Sequence, residues 1–516
     1  MAGILDDFPR GVEEGRLRTE NKTPQAQWLP SSRILSDPTL SYNPANPGPK
    51  LLLGSLDGRP VGIEDDRHMI TVAGSRAGKG VSVIIPNLIF YPGSVLAIDP
   101  KGELASITAR RRARDLGQKV FVLDPFDRTA SGVKPYKASF NPMAILTEDN
   151  RHIVEDAGLI ADALVIPGGG DIHWDETAKN FIEGLILHVA TWSGYEGRRN
   201  LVTVRELLVR GVEPDPDLFG SVEEMEEHLK EVDNRAMFGL RMEMESNDRL
   251  GGFIQAAATE MFERDPKEMN SVLSSARRHT TFLGFPAMKE VLQDHAELND
   301  LRALKTMPEG MTIYLCLPAG RLSTCNRWLR LFVNLALEAM EREQRRATKL
   351  KNVPVLLCLD EFATLGRMEQ VEAAAGQIAG FGCKLWPILQ DLGQLEALYK
   401  ERWQTFMGNA GVLQFFGNND VKTLEYISHR LGKTTVLVES KGDVSAPQAY
   451  QGGTGLSRAP QVHDLLTAEE AGRYFARDAP QRRQLIIRAG KDAAMAIGRV
   501  LYYEDPMFRG KFDVLE

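Results

Sequence analysis

The chain has 516 residues, which is too long for one ordinary hydrophobic core, so we expect two or three domains. Hydrophobic residues make up 43% and charged residues 26% of the sequence, as in soluble globular proteins. The formal net charge of −8 argues against a protein that coats DNA with its whole surface, although it leaves open DNA held in a local basic channel.

The N-terminal region, residues 1–48, is polar and rich in proline and asparagine, and we interpret it as an extended arm. Its beginning contains acidic residues and no apolar core, so we expect no signal peptide. The longest uncharged run, Val81–Ile98, contains Pro86, Pro92 and Gly93. We therefore predict a buried helix, a turn and a buried strand there, and no transmembrane segment in the chain.

Short apolar strands alternate with helical stretches in residues 49–143. The predicted strands are His68–Ala73, Val95–Asp99 and Lys119–Leu123. This alternation predicts a parallel sheet covered by helices, and we assign the region to the first part of an α/β domain.

Helical periodicity replaces the strand pattern in residues 144–290, for example at Asn180–Trp192 and Met261–Leu283. We predict an all-α domain here. Within it, Ser221–Arg249 is strongly charged and rich in acids, which fits a solvated helical face or an exposed docking site for a basic partner.

Strands resume in residues 291–516, with a helix predicted at Thr324–Glu343. The predicted strands are Met311–Leu317, Val353–Asp360, Gly382–Leu389, Gly411–Phe416, Arg483–Ala489 and Ala494–Tyr503. The stretch Glu439–Arg458 is rich in glycine, serine and glutamine and is interpreted as a mobile loop. The all-α domain therefore interrupts one α/β domain, whose second part is residues 291–516.

The four cysteines form no CxxC pair, and three of them lie in apolar runs that read as strands. They are Cys316, Cys325, Cys358 and Cys383. The spacing predicts reduced core thiols of a cytoplasmic protein, and neither a disulfide framework nor a zinc site.

A phosphate-loop candidate follows the first buried strand. Its small residues let backbone N–H groups close around a phosphate, the next helix adds its dipole, and Lys79 neutralises phosphate charge. The predicted nucleotide-binding residues are Gly74, Ser75, Arg76, Ala77, Gly78, Lys79, Gly80 and Val81. Ala73 replaces the first glycine of the usual pattern, and Gly80 replaces the hydroxyl residue that normally holds Mg²⁺. A glycine-rich strand-to-helix turn is the alternative interpretation.

Two consecutive carboxylates, Asp360 and Glu361, end a buried apolar strand, where they are costly unless a charged group compensates them. We predict that Asp360 holds Mg²⁺ and that Glu361 is the general base that polarises the attacking water. An acidic pair at a helix N-terminus is the alternative. Gln390 ends a later strand and is predicted to sense the γ-phosphate. Together the three motifs predict hydrolysis of ATP or GTP in a RecA-like α/β domain.

Further motifs resemble those of the VirD4/TraG coupling proteins of type IV secretion and conjugation. Asp99–Glu103 resembles the D-x-K-G-E motif of that family, and Phe140–Met143 is similar to its N-P-L element. Trp174–Asn180 resembles the W-D-x-x-A-x-N segment that opens the all-helical domain of the family, and Tyr502–Phe508 is similar to its closing segment. The motifs span most of the chain in the expected order.

The resemblance implies a P-loop ATPase with ATP and Mg²⁺ that works as a homohexameric ring at the cytoplasmic face of the bacterial inner membrane. The implied cargo is DNA, a relaxase–DNA complex or secreted effector proteins. The other implied partners are the ATPases and inner-membrane components of the secretion channel. An arginine of a neighbouring subunit would complete each site, and Arg430 and Arg277 are candidates. Asp99 would orient the groups that bind Mg²⁺ without binding the ion itself. A role in packing alone is the alternative.

Two other functions stay open. One is a nucleotide-binding adaptor for effector secretion that does not pump DNA, and the other is a chromosome-segregation or viral packaging motor with the same core. The run Arg110–Arg112 with Arg114 fits the solvated face of a helix or a contact with a phosphate backbone.

Overall fold

The apolar runs of the sequence form the strands of one large sheet. The structure is a computed structural model and describes residues 25–166, 172–216, 221–229, 234–441, 456–491 and 493–515. Its strands are β1 (Gln27–Trp28), β2 (Leu51–Leu56), β3 (Arg59–Ile63), β4 (Met69–Ala73), β5 (Val95–Asp99), β6 (Lys119–Leu123), β7 (Met311–Cys316), β8 (Val355–Leu359), β9 (Cys383–Leu389), β10 (Val412–Phe416), β11 (Lys433–Lys441), β12 (Leu456–Asp464), β13 (Arg483–Arg488) and β14 (Ala493–Gly498).

The helices cover this sheet and also fill the stretch between β6 and β7. They are α1 (Ser31–Ser36), α2 (Ile85–Phe90), α3 (Glu103–Arg110), α4 (Ile153–Leu164), α5 (Ile172–Thr191), α6 (Leu201–Arg210), α7 (Val222–His228), α8 (Arg235–Ser246), α9 (Phe253–Phe262), α10 (Pro266–His279), α11 (Pro286–Val291), α12 (Ala303–Thr306), α13 (Ala319–Arg342), α14 (Glu369–Ala374), α15 (Leu392–Tyr399), α16 (Trp403–Asn409), α17 (Val421–Leu431) and α18 (Ala468–Tyr474). A π-helical turn, Gly80–Ile84, precedes α2.

The main sheet has the strand order β3-β2-β14-β13-β10-β4-β9-β8-β5-β7-β6, and β1 pairs with β14. The strands from β10 through β4, β9, β8, β5 and β7 to β6 run parallel to one another. The pairs β10–β13, β13–β14, β14–β2 and β2–β3 are antiparallel. Strands β8 and β9 are buried along their whole length, as central parallel strands are. Since β9 lies between β4 and β8, the carboxyl ends of these three strands meet at one edge.

Both faces of the sheet are packed. Along β4, Ile70 and Val72 belong to one hydrophobic cluster, whereas Met69 and Ala73 belong to another, as alternation along a strand requires. The second cluster includes the helix that follows the phosphate-loop candidate, so this helix is packed against the sheet by its own apolar residues. The predicted α/β class is confirmed.

Residues 153–306, here called the helical segment, contain helices and no strand within their described residues. The helical periodicity at Met261–Leu283 belongs to more than one helix. Helix α9 ends at Phe262, and α10 begins at Pro266, whose ring fits the first helical position. Asp265 caps α10 by accepting from the Lys267 N–H at 2.9 Å. The placement of domain boundaries at residues 144 and 290 stays a prediction.

Three further predictions differ from the structure. The closing strand predicted at Ala494–Tyr503 ends at Gly498, and the next residue, Arg499, is buried. The described parts of the loop predicted at Glu439–Arg458 lie in β11 and β12, which pair in antiparallel register, while residues 442–455 lie outside the described residues. Of the predicted extended arm, residues 25–48 are packed against the sheet through the buried Ile34, Leu40 and Tyr42.

The four cysteines are free and buried, in agreement with their prediction as core thiols. In the part of the chain that the structure describes, none of the helices is both long and apolar enough to span a lipid bilayer.

Candidate functional site

The phosphate-loop candidate connects the buried strand β4 to the π-helical turn at Gly80. Gly74 lies against the end of β10, where a Cβ atom would come within 1.8 Å of the Gly417 carbonyl oxygen, so only glycine fits. Further along the loop, Arg76 and Gly78 have positive φ angles of 56° and 86°. This left-handed backbone lets a short loop curl before the helix begins.

Lys79 stands at the start of the helical turn and points to the end of β8. Its Nζ lies 2.8 Å from Asp360 Oδ1 and 2.6 Å from Glu361 Oε1. Burial lowers the pKa of the Lys79 ammonium, but the attraction of the two carboxylates outweighs burial and leaves the pKa raised. Lys79 is therefore held as a cation.

Asp360 and Glu361 differ in environment although they are neighbours in the chain. Burial raises the pKa of Asp360 above its ordinary value, and the nearby Lys79 partly opposes this shift. Asp360 Oδ1 also accepts from the Glu361 N–H at 2.9 Å. The backbone of Glu361 has a φ of 52°, a left-handed conformation that side-chain-bearing residues seldom adopt and that tends to occur at functional sites.

Gln390 follows β9 and completes the group. Its Nε2 donates to Glu361 Oε2 at 3.0 Å, so the Glu361 carboxylate is held by Lys79 on one oxygen and by Gln390 on the other. The Gln390 backbone is fixed in turn, because its N–H donates to Gln394 Oε1 at 3.0 Å. The structure thus brings together Lys79, Asp360, Glu361 and Gln390 from the tips of three adjacent strands.

The residues present fit a phosphate-bound Mg²⁺, although they offer few protein ligands. No hydroxyl stands at position 80, and the Ser82 hydroxyl donates to the Gly78 carbonyl at 2.7 Å. The described residues contain no group of three or more His, Cys, Asp or Glu side chains that could enclose a metal ion. Asp360 is the carboxylate available, and Mg²⁺ in phosphate sites characteristically takes one or two carboxylates with phosphate oxygens and water.

Asp99 lies at the tip of β5 and is almost completely buried. Burial raises its pKa to about 7, and the backbone N–H groups at the start of α3 partly oppose the shift. Its Oδ2 accepts from the Ala105 N–H at 2.9 Å, so Asp99 holds the first turn of this helix. Lys101 and Glu103 of the same motif are exposed and 3.9 Å apart. These contacts fit the packing alternative considered from the sequence, and the support of Mg²⁺ by Asp99 stays a prediction.

The arginine run before β6 is divided between core and surface: both interpretations made for the run are wrong for Arg112, while Arg110 and Arg114 are solvated. Arg112 is 0% exposed, and its guanidinium donates to the carbonyls of Leu88, Tyr91 and Gly93 and to the Thr312 hydroxyl. It is therefore a core residue and neither a solvated side chain nor a phosphate contact. Arg110 is exposed and pairs with Asp513, whereas Arg111 is half-buried and pairs with Asp115.

The two candidates for an arginine that acts on a neighbouring subunit have different environments. Arg277 donates from Nε to the Leu208 carbonyl at 2.7 Å and so holds α10 to the end of α6. Arg430 is exposed near the end of α17. The exposed position suits a contact with a second subunit better than the internal one does.

Arg499 is a site residue that the sequence did not reveal. It is 8% exposed and donates from Nη1 to the Ala77 carbonyl, and from Nη2 to the Arg477 carbonyl at 3.2 Å. Its guanidinium lies over the Phe416 ring, 4.7 Å from the centroid. Burial lowers its pKa to about 10. Arg499 thus fastens the phosphate-loop candidate to the chain that follows β14, and a lone arginine after a strand carries no local signal of this.

The motif Trp174–Asn180 contains a buried carboxylate, Asp175. Asp175 Oδ1 lies 2.9 Å from His279 Nε2 and 2.8 Å from Arg278 Nη2, and it accepts from the Ser275 hydroxyl at 2.6 Å. Burial lowers the pKa of His279. These contacts join the first turn of α5 to the end of α10, so they lie within the helical segment.

Comparisons with known proteins show which family the chain resembles. The family model described as "Type IV secretory system Conjugative DNA transfer" matches residues 25–514. The conjugal transfer protein TraG of Escherichia coli is 27% identical over 467 residues, which are 86% of this chain and 68% of that protein. Protein VirD4 of Rhizobium rhizogenes is 26% identical over 457 residues, which are 86% of this chain and 60% of that protein.

Solved structures share the fold at lower sequence identity. The plasmid coupling protein TrwB in complex with the non-hydrolysable ATP analogue ADPNP has a TM-score of 0.59 and 15% identity, and the match covers 93% of this chain and 96% of TrwB. TrwB in complex with ADP and Mg²⁺ has a TM-score of 0.57 and 15% identity, and covers 93% of this chain and 95% of that one. The resemblance found in the motifs is confirmed.

Proposed function

Since this chain belongs to the conjugative DNA transfer family of type IV secretory systems, we propose that it is the ATP-hydrolysing coupling protein of such a system. It recruits DNA or a relaxase–DNA complex and drives it to the secretion channel. The observation that carries the proposal is the contact of Lys79 with both Asp360 and Glu361. The contact shows that three groups required for phosphoryl transfer share one site: a cation for the phosphates, a carboxylate for Mg²⁺ and a group that orients the nucleophile.

In the proposed mechanism, the phosphates of ATP lie in the loop from Gly74 to Val81, and Lys79 moves from the carboxylates to the phosphate oxygens. Asp360, freed from Lys79, would be the carboxylate that holds Mg²⁺. When bound, Mg²⁺ supplies positive charge to the phosphate oxygens on which negative charge develops. TrwB, which shares the fold, was solved with an ATP analogue, with a GTP analogue and with ADP and Mg²⁺, which supports this choice of ligands.

Glu361 orients and polarises the attacking water, and Gln390 holds the second oxygen of its carboxylate. Once Lys79 has moved to the phosphates, Oε1 of Glu361 is free to accept a hydrogen bond from the attacking water. Nucleotide binding therefore exposes the base to its water. Gln390 reports the γ-phosphate to the rest of the chain through the contacts of its backbone with Gln394 and Asn418.

The proposed assembly is a homohexameric ring at the cytoplasmic face of the inner membrane, with an arginine of each subunit completing the site of its neighbour. Residues 144–290 are proposed to form the all-α domain that receives the cargo. Secreted effector proteins are a further cargo class, and the ATPases and inner-membrane components of the channel are the proposed membrane partners. The alternative, an adaptor that binds nucleotide without pumping DNA, predicts nucleotide binding without DNA-stimulated hydrolysis.

The test is steady-state hydrolysis of ATP and of GTP by the purified chain, alone and with single-stranded DNA, double-stranded DNA or a relaxase–DNA complex. We expect turnover that one of these cargoes stimulates, and loss of turnover by at least about a hundredfold in Lys79→Ala and Glu361→Gln. Glu361→Gln keeps the volume of the side chain, so its fold and its binding of an ATP analogue should be retained. Normal turnover in Glu361→Gln would remove this residue as the base, and binding without stimulation by any cargo would favour the adaptor.

A further inference from the structure

A buried arginine, Arg330, bonds both the turn that contains Glu361 and a helix of the helical segment. We call residues 361–367 the catalytic turn; it contains Glu361, the 3-10 turn Phe362–Leu365 and Gly366. Arg330 lies on α13 and is 3% exposed. Its Nη1 donates to the carbonyls of Leu365 at 3.0 Å and Arg367 at 2.7 Å, so it holds the far end of the catalytic turn.

The same guanidinium also holds the last turn of α4 in the helical segment. Its Nε donates to the Ala163 carbonyl at 3.1 Å, and its Nη2 lies 3.4 Å from the Asp162 carbonyl. The final carbonyls of a helix have no partner within the helix, and a cation at that end is favourable. Because the guanidinium is a rigid plane, the catalytic turn and the end of α4 are fixed relative to each other.

A second side chain one turn earlier on α13 strengthens this link. Asn326 Nδ2 donates to the Thr364 carbonyl at 2.9 Å, and the Thr364 hydroxyl donates to the Glu361 carbonyl at 2.8 Å. Within the turn, Glu361 and Gly366 have positive φ angles of 52° and 72°. A strained backbone of this kind persists when surrounding contacts hold it, and Arg330 and Asn326 supply such contacts from α13.

Arg327 provides an internal comparison. Like Arg330, it lies on α13 and bonds the end of α4, but none of its described hydrogen bonds reaches the catalytic turn. Its Nε donates to the Leu164 carbonyl at 2.8 Å, so it also caps the end of α4. Its Nη2 lies 3.1 Å from His279 Nδ1, on the side of the helical segment. Burial lowers the pKa of both arginines. The two residues therefore differ in whether their described hydrogen bonds reach the catalytic turn.

We propose that Arg330 is a positioning residue, which sets the orientation of Glu361 from the end of α4 and so transmits movements of the helical segment to the hydrolytic site. The proposal deepens the proposed function and rests on it. Binding of cargo to the helical segment would shift the end of α4, and the shift would reach Glu361 through the guanidinium. Arg330 does not touch the reacting atoms, so it acts on the rate through the geometry of Glu361.

The test compares Arg330→Lys, Asn326→Ala and Arg327→Lys with the wild-type chain. For each protein, kcat and KM for ATP, the Kd of a non-hydrolysable ATP analogue and the thermal midpoint are measured, with and without DNA. We expect Arg330→Lys to lower kcat by about tenfold or more, since small displacements of a catalytic group are costly, while KM and Kd stay within about twofold. Asn326→Ala should lower kcat less, and Arg327→Lys should change it by less than about twofold.

The thermal midpoint separates positioning from helix capping. Arg330→Lys and Arg327→Lys both weaken the cap of α4, so their midpoints should fall by similar amounts while their kcat values differ. Equal kcat values in the two variants would overturn the inference, provided that the wild-type chain hydrolyses ATP. If Arg330→Lys does not fold, Asn326→Ala decides in the same way, since an unchanged kcat there overturns the link to Glu361. Absence of turnover in the wild-type chain would instead overturn the proposed function, and this inference with it.

Discussion

Two glycines of the phosphate-loop candidate, six positions apart, differ in whether their surroundings leave room for a side chain. A Cβ atom at Gly74 would lie 1.8 Å from the Gly417 carbonyl oxygen, whereas a Cβ atom at Gly80 would meet nothing within 4 Å. Gly74 is therefore fixed by the close approach of β10. Gly80 has ordinary helical surroundings, so its lack of a side chain is not imposed by packing.

This difference predicts opposite effects of alanine at the two positions. Gly74→Ala should lower the free energy of unfolding by about 1–3 kcal/mol, because the loop and β10 must separate, and should abolish nucleotide binding. Gly80→Ala should raise it by about 0.5–1 kcal/mol, because alanine favours the helical turn. Chemical denaturation of both variants checks this. Similar destabilisation by the two changes would contradict the geometry described for the loop.

Arg499 is expected to act on nucleotide affinity more than on the chemical step. Its guanidinium reaches the carbonyls of Ala77, Arg477 and Arg482, and a single lysine amine cannot hold all three. Arg499→Lys should raise KM for ATP by about tenfold and change kcat less, since it loosens the loop and leaves Glu361 in place. Arg483→Lys is the matched control, because Arg483 stacks on Tyr474, with 4.3 Å to the ring centroid. A fall in kcat alone would argue against this role.

Strand β9 carries a buried lysine that links the stability of the fold to pH. Lys384 is 4% exposed, and its Nζ donates to the carbonyls of Asp65 and Arg67. Burial lowers its pKa from 10.5 to about 8. Between these values the unfolded chain binds one more proton than the folded chain, so this group makes stability rise as pH rises.

The corresponding prediction compares the wild-type chain with Lys384→Met. Between about pH 8 and 10, the free energy of unfolding of the wild-type chain should rise relative to the variant by up to about 1.4 kcal/mol per pH unit. Below pH 8 the difference should be constant, because Lys384 is then protonated in both states. Urea unfolding at a series of pH values measures it. A constant difference up to pH 10 would show that Lys384 keeps an ordinary pKa.

Among the helices and strands, the sequence predicted those that can be recognised from their own residues and immediate neighbours. Strand β6 was placed to the residue, since Lys119–Leu123 is an apolar run bounded by polar residues. The hairpin of β2 and β3 was not predicted, although Asp57 and Gly58, with φ angles of 49° and 73°, form the turn between them. This Asp-Gly pair is a known hairpin signal, so the strands were within reach of the sequence.

Other features depend on partners that are distant in the chain and could not be predicted. The hydrogen bond of Arg112 to Thr312 and that of Arg499 to Ala77 join residues 200 and 422 positions apart. Nothing near either arginine distinguishes it from a surface residue. Lys79 is also distant in the chain from Asp360 and Glu361. Their contact could be predicted because each of these residues lies at the end of a predicted strand or shortly after it, and the carboxyl ends of parallel strands lie at one edge of the sheet.

At the scale of the whole molecule, the helical segment interrupts the sheet between β6 and β7, yet β6 and β7 pair directly in parallel register. Two parts of the chain separated by this insertion therefore close one sheet. Helix α13 follows β7 and packs against α4 and the 3-10 turn of the catalytic turn, so it lies between the helical segment and the candidate site. In the proposed function, this helix is the contact through which the helical segment affects the strand tips.

The account depends on Lys79, Asp360 and Glu361 forming one site for a phosphate, Mg²⁺ and a water molecule. The most direct measurement is an experimental structure of the chain with Mg²⁺ and a non-hydrolysable ATP analogue. We expect the Lys79 ammonium on the β- and γ-phosphate oxygens, Mg²⁺ beside Asp360, and the Glu361 carboxylate facing the γ-phosphate across a water molecule. A nucleotide bound elsewhere, with Lys79 still paired to both carboxylates, would contradict the account.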